Sequence, residues 1–445
     1  MNLDNIAQHL GCQINKPLSI TGITIDSRFV QPGYLFIALA GERFDGHDFI
    51  ASAVANGAVA IVCERPDSQI ETAAQLIVAD SLQALATIAT LHRNTIMCPI
   101  IALTGSNGKT TVKEMIASIL PKPALATSGN LNNHIGAPLS VLQLNATHRY
   151  AVFELGANHL GEIAHTVAIV QPHIALINNI GPAHIEGFGS IEGVARAKGE
   201  IYSGLSDGAI AVVNEDDEFA HFWDDLLKSK QVLRFSRTKA VDIQARDVLF
   251  NDKGCACFTI VFPNGGIEVS LQVPGEHSVQ NALAAAACCY AAGIALVDIA
   301  LGLNGFKGVA GRMTFLPGKN QSLVIDDTYN ANLRSVLTAV DVLSKRHGRR
   351  ILVLGDMGEL GNWTQQHHEE IGRAAQQQGI DLLMTCGRQS AFSSQAFGDT
   401  ARHYGTQDEL ARDLLSCLDK NTTVLVKGSR SAQMEKIVHQ LVVEA

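Results

Sequence analysis

The most informative run in this sequence is Gly105-Ser106-Asn107-Gly108-Lys109-Thr110-Thr111. It follows the apolar residues 100–103, enough only for a strand, and it precedes apolar residues at helical spacing over 112–120. A glycine loop between a strand and a helix forms a phosphate cradle, because the backbone approaches closely and the N–H groups at the helix start attract anions. In such a loop Lys109 neutralises the outer phosphates and the Thr110 hydroxyl binds magnesium. The run therefore predicts a nucleotide site, with the helix ending before Pro121.

The loop is shorter than the common GxxxxGK[ST] pattern, because Leu103 stands where the first glycine would be. An ordinary turn followed by a capped helix is the alternative interpretation of these residues. The flanking strand and helix favour the phosphate site.

Length and composition indicate a soluble protein of several domains. A chain of 445 residues with 47% hydrophobic residues is long enough for about three domains, each with its own core. The sequence has no apolar run of roughly 18 residues and no signal-peptide pattern at its start, so we expect a cytoplasmic protein without membrane insertion. The net charge of −9 argues against nucleic acid as a partner.

The nine cysteines form no CxxC pair and show no zinc-ligand spacing. Cys255 and Cys257 are predicted to share one face of a strand, whereas Cys288 and Cys289 lie in an alanine-rich helix. We therefore expect reduced, buried thiols.

Hydrophobic patterning predicts an α/β protein of three domains. A small N-terminal α/β domain covers residues 1–83, a central parallel-sheet domain with the glycine loop covers 84–313, and a C-terminal Rossmann-like domain covers 314–445. In the first domain the predicted strands are 23–25, 35–39 and 58–62, and the predicted polar turns are 26–28 and 41–47. The turns either hold a ligand or are ordinary solvated loops.

Two predicted strands of the central region end in polar side chains. Residues 150–153 precede Glu154, and residues 174–177 precede two asparagines and, further on, His184. Because the carboxyl ends of parallel strands line the ligand crevice, Glu154 and His184 could approach an ion held at Thr110. A hard divalent cation prefers oxygen to imidazole, and a helix cap or a salt bridge is the alternative role of Glu154.

The pattern changes period over residues 231–274, where an antiparallel addition to the parallel domain is predicted. Its strands are 232–235, 258–262 and 267–271, and residues 263–266 form a hairpin turn. A helix over 278–292 follows.

The C-terminal region predicts a parallel sheet with helical crossovers. Its buried-strand runs are 323–327, 350–354, 382–385 and 422–426. Polar loops follow three of them, at 326–332, 355–360 and 427–430. At one edge of a sheet these loops would form part of a site, although each alone would be an ordinary turn.

Several motifs together resemble the Mur ligase family. They occur in order over all three regions: TGSNGKTTVKEM at 104–115, NLNNHIG at 130–136, ELGANH at 154–159, AHIEGFG at 183–189, AKGEI at 197–201, DTYNAN at 327–332 and GDMGELG at 355–361. The resemblance covers essentially the whole chain. It is greatest to the family member that adds D-alanyl-D-alanine to UDP-N-acetylmuramoyl-tripeptide through an acyl phosphate.

This resemblance implies ATP and Mg²⁺ as cofactors. Lys109 would contact the ATP phosphates, and Thr110 and Glu154 would bind magnesium. His184 matches the second-magnesium position, although Gly181-Pro182 just before it departs from the family pattern. Lys198, which local sequence alone would make a surface charge, matches the lysine that the family carbamylates.

The remaining implied contacts come from all three regions. Asn281 and Arg312 match the adenine and phosphate contacts, and Asp327 matches the ribose contact. The implied substrate contacts are Ser27, Arg28 and Arg43 for the UDP-sugar and Asn330 and Asn332 for the dipeptide. Closure of the C-terminal domain about residues 312–317 would exclude water from the acyl phosphate.

Three functions remain open at this point. The favoured one is the dipeptide-adding ligase, a cytoplasmic monomer of peptidoglycan precursor synthesis whose tripeptide ends in diaminopimelate or lysine. The second is a Mur-type or folylpolyglutamate-type ligase that adds a single amino acid, and the lack of an Asp-Asn-Pro-Arg run counts against the diaminopimelate enzyme. The third is a nucleotide switch, which would not need the regions of Lys198 and Asp327.

Overall fold

The computed structural model describes residues 2–14, 18–41, 44–182 and 185–443. These residues form two units. The first unit comprises Met1–Ala102, Pro121–Gly156 and Glu162–His173, and the second comprises Leu103–Leu120, Ala157–Gly161 and Ile174–Ala445, in both cases as far as the chain is described. Alternating strands and helices give the predicted α/β class. None of the helices in the described ranges is long and apolar enough to cross a membrane.

A four-stranded parallel sheet in the first unit carries the N-terminal residues, in the order β1-β2-β3-β4. Its strands are β1 (Gly22–Thr24), β2 (Tyr34–Ile37), β3 (Ala58–Cys63) and β4 (Ala74–Ile77), and its helices are α1 (Leu3–His9), α2 (Ile50–Ala55) and α3 (Ser81–Arg93). β3 is buried along most of its length, as expected for a parallel strand covered on both faces. The sequence analysis missed β4, because only one of its four residues is buried and its apolar pattern is weak.

The glycine loop lies between a buried strand and a helix, as predicted. Along the chain the next elements are β5 (Ile100–Thr104), α4 (Lys109–Ile119), β6 (Ala124–Ala126), α5 (Gly136–Leu142), β7 (Tyr150–Glu154) and α6 (Glu162–Val170). β6 runs parallel to β7, and all five residues of β5 are buried. The helix α4 and the end of β5 belong to the second unit, whereas β6, α5, β7 and α6 belong to the first.

Six strands of the second unit lie in the order β13-β12-β11-β10-β9-β8. They are β8 (Ile174–Ile177), β9 (Ile210–Asn214), β10 (Gln231–Ser236), β11 (Ile243–Phe250), β12 (Cys255–Phe262) and β13 (Gly265–Pro274), and the helices are α7 (Ile185–Phe188), α8 (Ile191–Ser203), α9 (Glu276–Ala291) and α10 (Leu296–Gly305). The predicted hairpin joins β12 to β13, but β10 is parallel to both of its neighbours. The antiparallel part therefore begins one strand later than predicted, at β11, which the sequence analysis missed because most of its residues are partly or fully exposed.

The prediction that Cys255 and Cys257 share a strand face is wrong. The pairing of β12 with β13 shifts register between these two residues, so a bulge interrupts the alternation of faces. Cys255 is buried, whereas Cys257 is exposed. All nine cysteines are free thiols, as expected, and five of them are buried.

The C-terminal sheet has the strand order β14-β15-β19-β16-β17-β18. Its strands are β14 (Thr314–Pro317), β15 (Leu323–Asp327), β16 (Arg349–Gly355), β17 (Leu382–Cys386), β18 (Ala401–Tyr404) and β19 (Thr422–Lys427), and its helices are α11 (Leu333–Ser344), α12 (Thr364–Gln377), α13 (Ala391–Phe397), α14 (Gln407–Ser416) and α15 (Glu435–Leu441). β15 to β19 are parallel, as predicted. Helices α11 to α13 cover one face of the sheet, and α14 and α15 cover the other.

Residues 312–317 were predicted to be the segment about which the C-terminal domain closes, but most of this segment is part of a sheet. Residues 314–317 form the edge strand β14, which pairs antiparallel with β15 over its whole length. Because a paired strand moves with its sheet, these residues belong to the C-terminal sheet and cannot be the part that bends.

Candidate active site

The glycine loop is tied to the end of β8 by backbone and amide hydrogen bonds. The Ser106 N–H donates to the Asn179 carbonyl at 2.9 Å, and the Asn107 N–H donates to Asn179 Oδ1 at 2.9 Å. The Asn107 carbonyl accepts from Asn178 Nδ2 at 2.9 Å and from Asn179 Nδ2 at 3.0 Å. The two amides that follow the strand therefore fix the shape of the loop from the protein side.

Glycine is required at position 108 for two reasons. Its φ is +77°, in the left-handed region that residues with a side chain rarely adopt. A Cβ there would also stand 2.5 Å from Asn281 Oδ1 and 2.7 Å from Asn178 Nδ2. Asn281, a predicted nucleotide contact, thus packs directly against the loop, and Asn178 Nδ2 donates to it at 3.1 Å.

Two cations lie beside the start of α4. Lys109 Nζ folds back over the loop and donates to the Gly105 carbonyl at 2.8 Å. The Arg312 guanidinium stacks 4.0 Å from the centre of the Tyr329 ring, and its Nη2 lies 3.5 Å from Thr110 Oγ1. Positive charge therefore gathers at the helix N-terminus, where phosphates bind.

A cavity of about 790 Å³ opens at this point. The glycine loop lines it, and so do predicted ligand residues from distant parts of the second unit: Asn281, Arg312, Asp327, Asn330 and Asn332. This volume is within the range of roughly 300–1,000 Å³ that is usual for small-molecule sites. The structure thus brings the predicted nucleotide contacts and the predicted dipeptide contacts to one cavity.

The carboxylate of Asp327 has a buried cationic partner that the sequence analysis did not single out. Lys427 Nζ lies 2.5 Å from Asp327 Oδ2, and the side chains are 2% and 9% exposed. The same ammonium donates to the Asn330 carbonyl at 2.9 Å, while Asp327 Oδ1 accepts from the Met313 N–H at 3.2 Å. Burial lowers the pKa of Lys427, although the charge of Asp327 opposes that shift. The only sequence signal was the position of Lys427 at the end of an apolar strand.

The sequence analysis also missed the acidic residues that follow β9. Asp216 accepts hydrogen bonds from Ser236 Oγ at 2.6 Å and from Thr238 Oγ1 at 2.7 Å. Burial opposes the ionisation of Asp216, but these bonds and one from a backbone N–H together lower its pKa. Asp217 accepts from the Ile180 N–H at 2.8 Å, and burial raises its pKa. Both carboxylates line the cavity. The available signal was a polar run, 214–217, directly after a buried parallel strand.

Asn332 both starts a helix and contacts the glycine loop. Its Oδ1 accepts from the Ser335 N–H at 2.9 Å, and the Ser335 hydroxyl accepts from the Asn332 N–H at 3.0 Å, which makes a reciprocal cap for α11. Its Nδ2 donates to Asn107 Oδ1 at 2.9 Å. Two residues on, Arg334 donates to the Ile180 carbonyl at 2.7 Å.

Glu154 lies in the first unit, at the end of β7. Its side chain is buried, and its Oε1 accepts from Asn132 Nδ2 at 2.9 Å. Within the described ranges its buried Oε2 has no hydrogen-bond partner. A buried carboxylate oxygen without a partner suits a hard cation, so Glu154 fits the predicted magnesium ligand better than the alternative of a salt bridge.

Lys198 lies in α8 and is only 1% exposed, so it is not a surface charge. Small residues allow this helix to pack closely: a Cβ at Gly199 would stand 2.5 Å from Trp223 Nε1, which donates to the Ala195 carbonyl. Burial, together with the charge of Lys109, lowers the pKa of Lys198 well below its usual range. The neutral amine, the form that reacts with carbon dioxide, is therefore easier to reach than in an exposed lysine.

Two of the predicted sugar contacts of the first unit, Ser27 and Arg28, lie in the short 3-10 helix Ser27–Phe29. Ser27 is buried, and the 81% exposed Arg28 side chain pairs with Asp26 at 2.6 Å. The Arg28 hydrogen bond is the main cause of the lowered pKa of Asp26. Arg43 and His184 lie outside the described residues.

The turn that precedes α2 is anchored through His47. Asp45 accepts from the His47 N–H at 3.0 Å, pairs with the His47 ring at 2.6 Å, and also contacts Arg65. The other ring nitrogen of His47 accepts from the Glu64 N–H at 2.9 Å. Since one nitrogen accepts, the other must carry the proton toward Asp45.

Comparison with known proteins places this arrangement in a family. Three family models match in order: "Mur ligase family, catalytic domain" at residues 19–93, "Mur ligase middle domain" at 103–289 and "Mur ligase, glutamate ligase domain" at 311–430. The UDP-N-acetylmuramoyl-tripeptide--D-alanyl-D-alanine ligase of Escherichia coli K12 is 44% identical over 430 residues, 95% of this chain and 94% of that protein. This chain belongs to the Mur ligase family. The Mur ligase of the same name from Haemophilus influenzae is 40% identical, over 96% of this chain and 94% of its own length.

Solved Mur ligase structures share the fold. MurF from Acinetobacter baumannii superposes with a TM-score of 0.91 at 39% identity and covers 98% of this chain and 97% of its own. MurF from Thermotoga maritima, solved in complex with ADP, has a TM-score of 0.83 at 28% identity, with 94% and 96% covered.

Proposed function

We propose that this chain is the ATP-dependent ligase that joins D-alanyl-D-alanine to UDP-N-acetylmuramoyl-tripeptide. The observation that carries the proposal is the identity of 44% over 95% of the chain with a ligase of that name. The cavity agrees with it, because a glycine loop, two cations and the predicted nucleotide contacts surround one space of nucleotide size. The product would be a precursor of peptidoglycan, made in the cytoplasm.

The reaction needs activation of a carboxylate. A carboxylate oxygen of the tripeptide attacks the γ-phosphorus of ATP, the bond to the β-phosphate oxygen breaks, and its electron pair leaves with ADP. The dipeptide amine then attacks the acyl carbon, loses a proton, and expels phosphate from the tetrahedral intermediate. The protein supplies positioning and electrostatic stabilisation for both steps.

The chain's own residues divide this work. Lys109 and Arg312 neutralise phosphate charge at the start of α4, while Asn281 and Asp327 hold the nucleoside. Thr110 and Glu154 would hold magnesium, with His184 for a second ion; the metal neutralises the phosphoryl oxygens when bound. Ser27, Arg28 and Arg43 grip the UDP-sugar, and Asn330 and Asn332 contact the dipeptide.

Lys198 has the environment that carbamylation requires. An ammonium would be repelled by magnesium, whereas a carbamate is an anion that attracts it. The amine is buried and its pKa is well below its usual range, which favours the neutral form that reacts with carbon dioxide. The carbamate would then orient the second ion.

The decisive experiment measures phosphate release from ATP with each substrate omitted in turn. Release that requires both UDP-N-acetylmuramoyl-tripeptide and D-alanyl-D-alanine is the expected result. Release with a single amino acid in place of the dipeptide would identify a ligase of the other Mur type. Release without any peptide would identify a nucleotide switch. Lys109→Ala is the matched control, because it removes phosphate neutralisation from the same loop.

A further inference from the structure

His277 is a cavity residue to which the proposed reaction gives no role. It belongs to the first turn of α9 and lines the same cavity as the glycine loop and Asp327. In the part of the chain that the structure describes, neither of its ring nitrogens makes a hydrogen bond or an ion pair. Polar side-chain atoms enclosed by protein usually have a partner, so this imidazole on a cavity wall is available to a ligand.

The glycine two residues earlier sets the position of the ring. Gly275 has a φ of +93°, a conformation that residues with a side chain rarely adopt. A Cβ there would stand 2.5 Å from His277 Cε1, 2.6 Å from His277 Nδ1 and 3.3 Å from Val342 Cγ2 of α11. The imidazole therefore folds back against the backbone that precedes α9. Its Nε2 lies farther from that backbone than Nδ1 does and is the better placed nitrogen for a ligand.

The charged groups around the ring place it on the ribose side of the cavity. Burial is the main cause of the lowered pKa of His277, and the charges that act on it belong to Asp327, Lys427, Asp341 and Glu276. A neutral imidazole has one N–H donor and one acceptor nitrogen. It therefore matches a hydroxyl group, which also donates and accepts, better than it matches a phosphate.

Asp327, the proposed ribose contact, leaves room for a second group. Its Oδ2 bonds to Lys427 Nζ, and its Oδ1 accepts from the Met313 N–H at 3.2 Å. The lone pairs that remain can accept from a ribose hydroxyl, but an ionised carboxylate donates nothing. A ribose presents two neighbouring hydroxyl groups, and each loses its hydrogen bonds to water when the nucleotide enters the cavity. The imidazole beside Asp327 gives the second hydroxyl a partner.

We propose that His277 binds one of the two ribose hydroxyl groups of the nucleotide while Asp327 binds the other. The inference rests on the proposed function, in which the nucleotide is ATP. It makes His277 a specificity-determining residue that distinguishes a ribonucleotide from a deoxynucleotide. A deoxynucleotide that lacks the bound hydroxyl would leave the imidazole unpaired in a site closed to water, and a site built to bond a hydroxyl rejects such an analogue.

Two variants and two deoxynucleotides test the proposal. His277→Phe keeps a planar ring but removes both nitrogens, whereas His277→Gln keeps a donor and an acceptor on a more flexible side chain. Calorimetry measures the affinity of each protein for ADP, for 2′-deoxyADP and for 3′-deoxyADP. His347→Phe is the matched control, because it makes the same chemical change at an exposed histidine that does not line the cavity.

The wild type should bind ADP about tenfold more tightly than either deoxynucleotide, because each analogue lacks one hydrogen bond. His277→Phe should lose a similar factor for ADP. One of the two deoxynucleotides should then bind this variant as well as ADP does, because the hydroxyl that it lacks is the one that His277 binds. The other should still bind more weakly than ADP, since it lacks the hydroxyl that Asp327 binds. His277→Gln should recover part of the lost discrimination, and His347→Phe should behave as wild type.

Equal losses for ADP and both deoxynucleotides in His277→Phe would overturn the proposal, because they would show that the ring only packs in the cavity or contacts the base. An unchanged affinity for ADP would overturn it too. If His277→Phe proves unstable in thermal unfolding, His277→Gln decides: the difference between ADP and one deoxynucleotide must narrow, and the proposal fails if both differences stay as in the wild type. Binding of ADP does not require the joining of a dipeptide, so this result is separate from a failure of the proposed ligase activity.

Discussion

Replacing Lys427 by methionine should loosen the C-terminal sheet beside the cavity. The methionine keeps the length of the side chain but removes the ammonium, which bonds to Asp327 Oδ2 at 2.5 Å and to the Asn330 carbonyl at 2.9 Å. Asp327 would then remain a buried carboxylate, since it is only 9% exposed. Breaking a buried pair in this way costs about 3–5 kcal/mol. At about 1.4 kcal/mol per factor of ten, that cost corresponds to a change of roughly 10²–10⁴-fold in a local opening equilibrium.

Hydrogen exchange measured by mass spectrometry gives the local quantity. We expect faster exchange in peptides that cover β15 and β19 and unchanged exchange in those that cover β1 to β4. The double variant Lys427→Met with Asp327→Asn should recover most of the protection, because it removes both charges together.

Catalysis supplies the second readout for Lys427. Asp327 is the proposed ribose contact, so its misplacement should raise the KM for ATP by about tenfold, or 1.4 kcal/mol, and leave the KM for the UDP-sugar tripeptide unchanged. Unchanged protection in the single variant, or a double variant no better protected than the single one, would refute the reasoning.

Three further predictions concern other parts of the site. Lys109→Ala should lower turnover by at least about 10³-fold at an unchanged melting temperature, because the ammonium serves phosphate charge rather than the core; a normal rate would remove the loop from the mechanism. Lys198→Ala should lose nearly all activity and regain part of it with added formate or acetate. In the wild type, the NMR signal of a carbamate formed from ¹³C-bicarbonate should weaken as the pH falls through the lowered pKa of Lys198, because protonation consumes the reactive amine. Asp45→Asn should raise the KM for the UDP-sugar severalfold at constant kcat. Hydrogen bonds from His47 lower the pKa of Asp45 to about 2, so the contribution of its carboxylate is present above the usual carboxyl range and is lost only as the pH falls through about 2. Assays between pH 5 and 9 should therefore show no titration of this group.

The sequence predicted those parts of the molecule whose cause is local. The glycine loop, its strand and its helix follow from a short run of residues, and the parallel C-terminal sheet follows from apolar runs of strand length. The strands β4 and β11 were not predicted, because most of their side chains are partly or fully exposed and show no strong hydrophobic pattern. The bulge that separates Cys255 from Cys257 depends on the partner strand, which the spacing of two cysteines does not reveal.

The contacts that shape the site were harder to predict because they join distant residues. Lys427 lies 100 positions from Asp327, and Asn332 lies 225 positions from Asn107. A polar residue at the end of a strand can be recognised from the sequence, but its partner is set by the order of strands in the sheet. The strand order places β19 beside β15, which brings Lys427 to Asp327.

The turn that precedes β14 bears on the order in which products leave. Val309 and Arg312 are bridged, the Met313 N–H is held by Asp327, and Arg312 stacks on Tyr329, so this turn is fastened to the C-terminal sheet. A swing of that sheet about a point before Val309 therefore carries Arg312 with it and withdraws its guanidinium from Thr110. Opening and loss of the proposed phosphate contact of Arg312 would then be one event, and ADP would be released as the sheet moves rather than through a site that stays assembled.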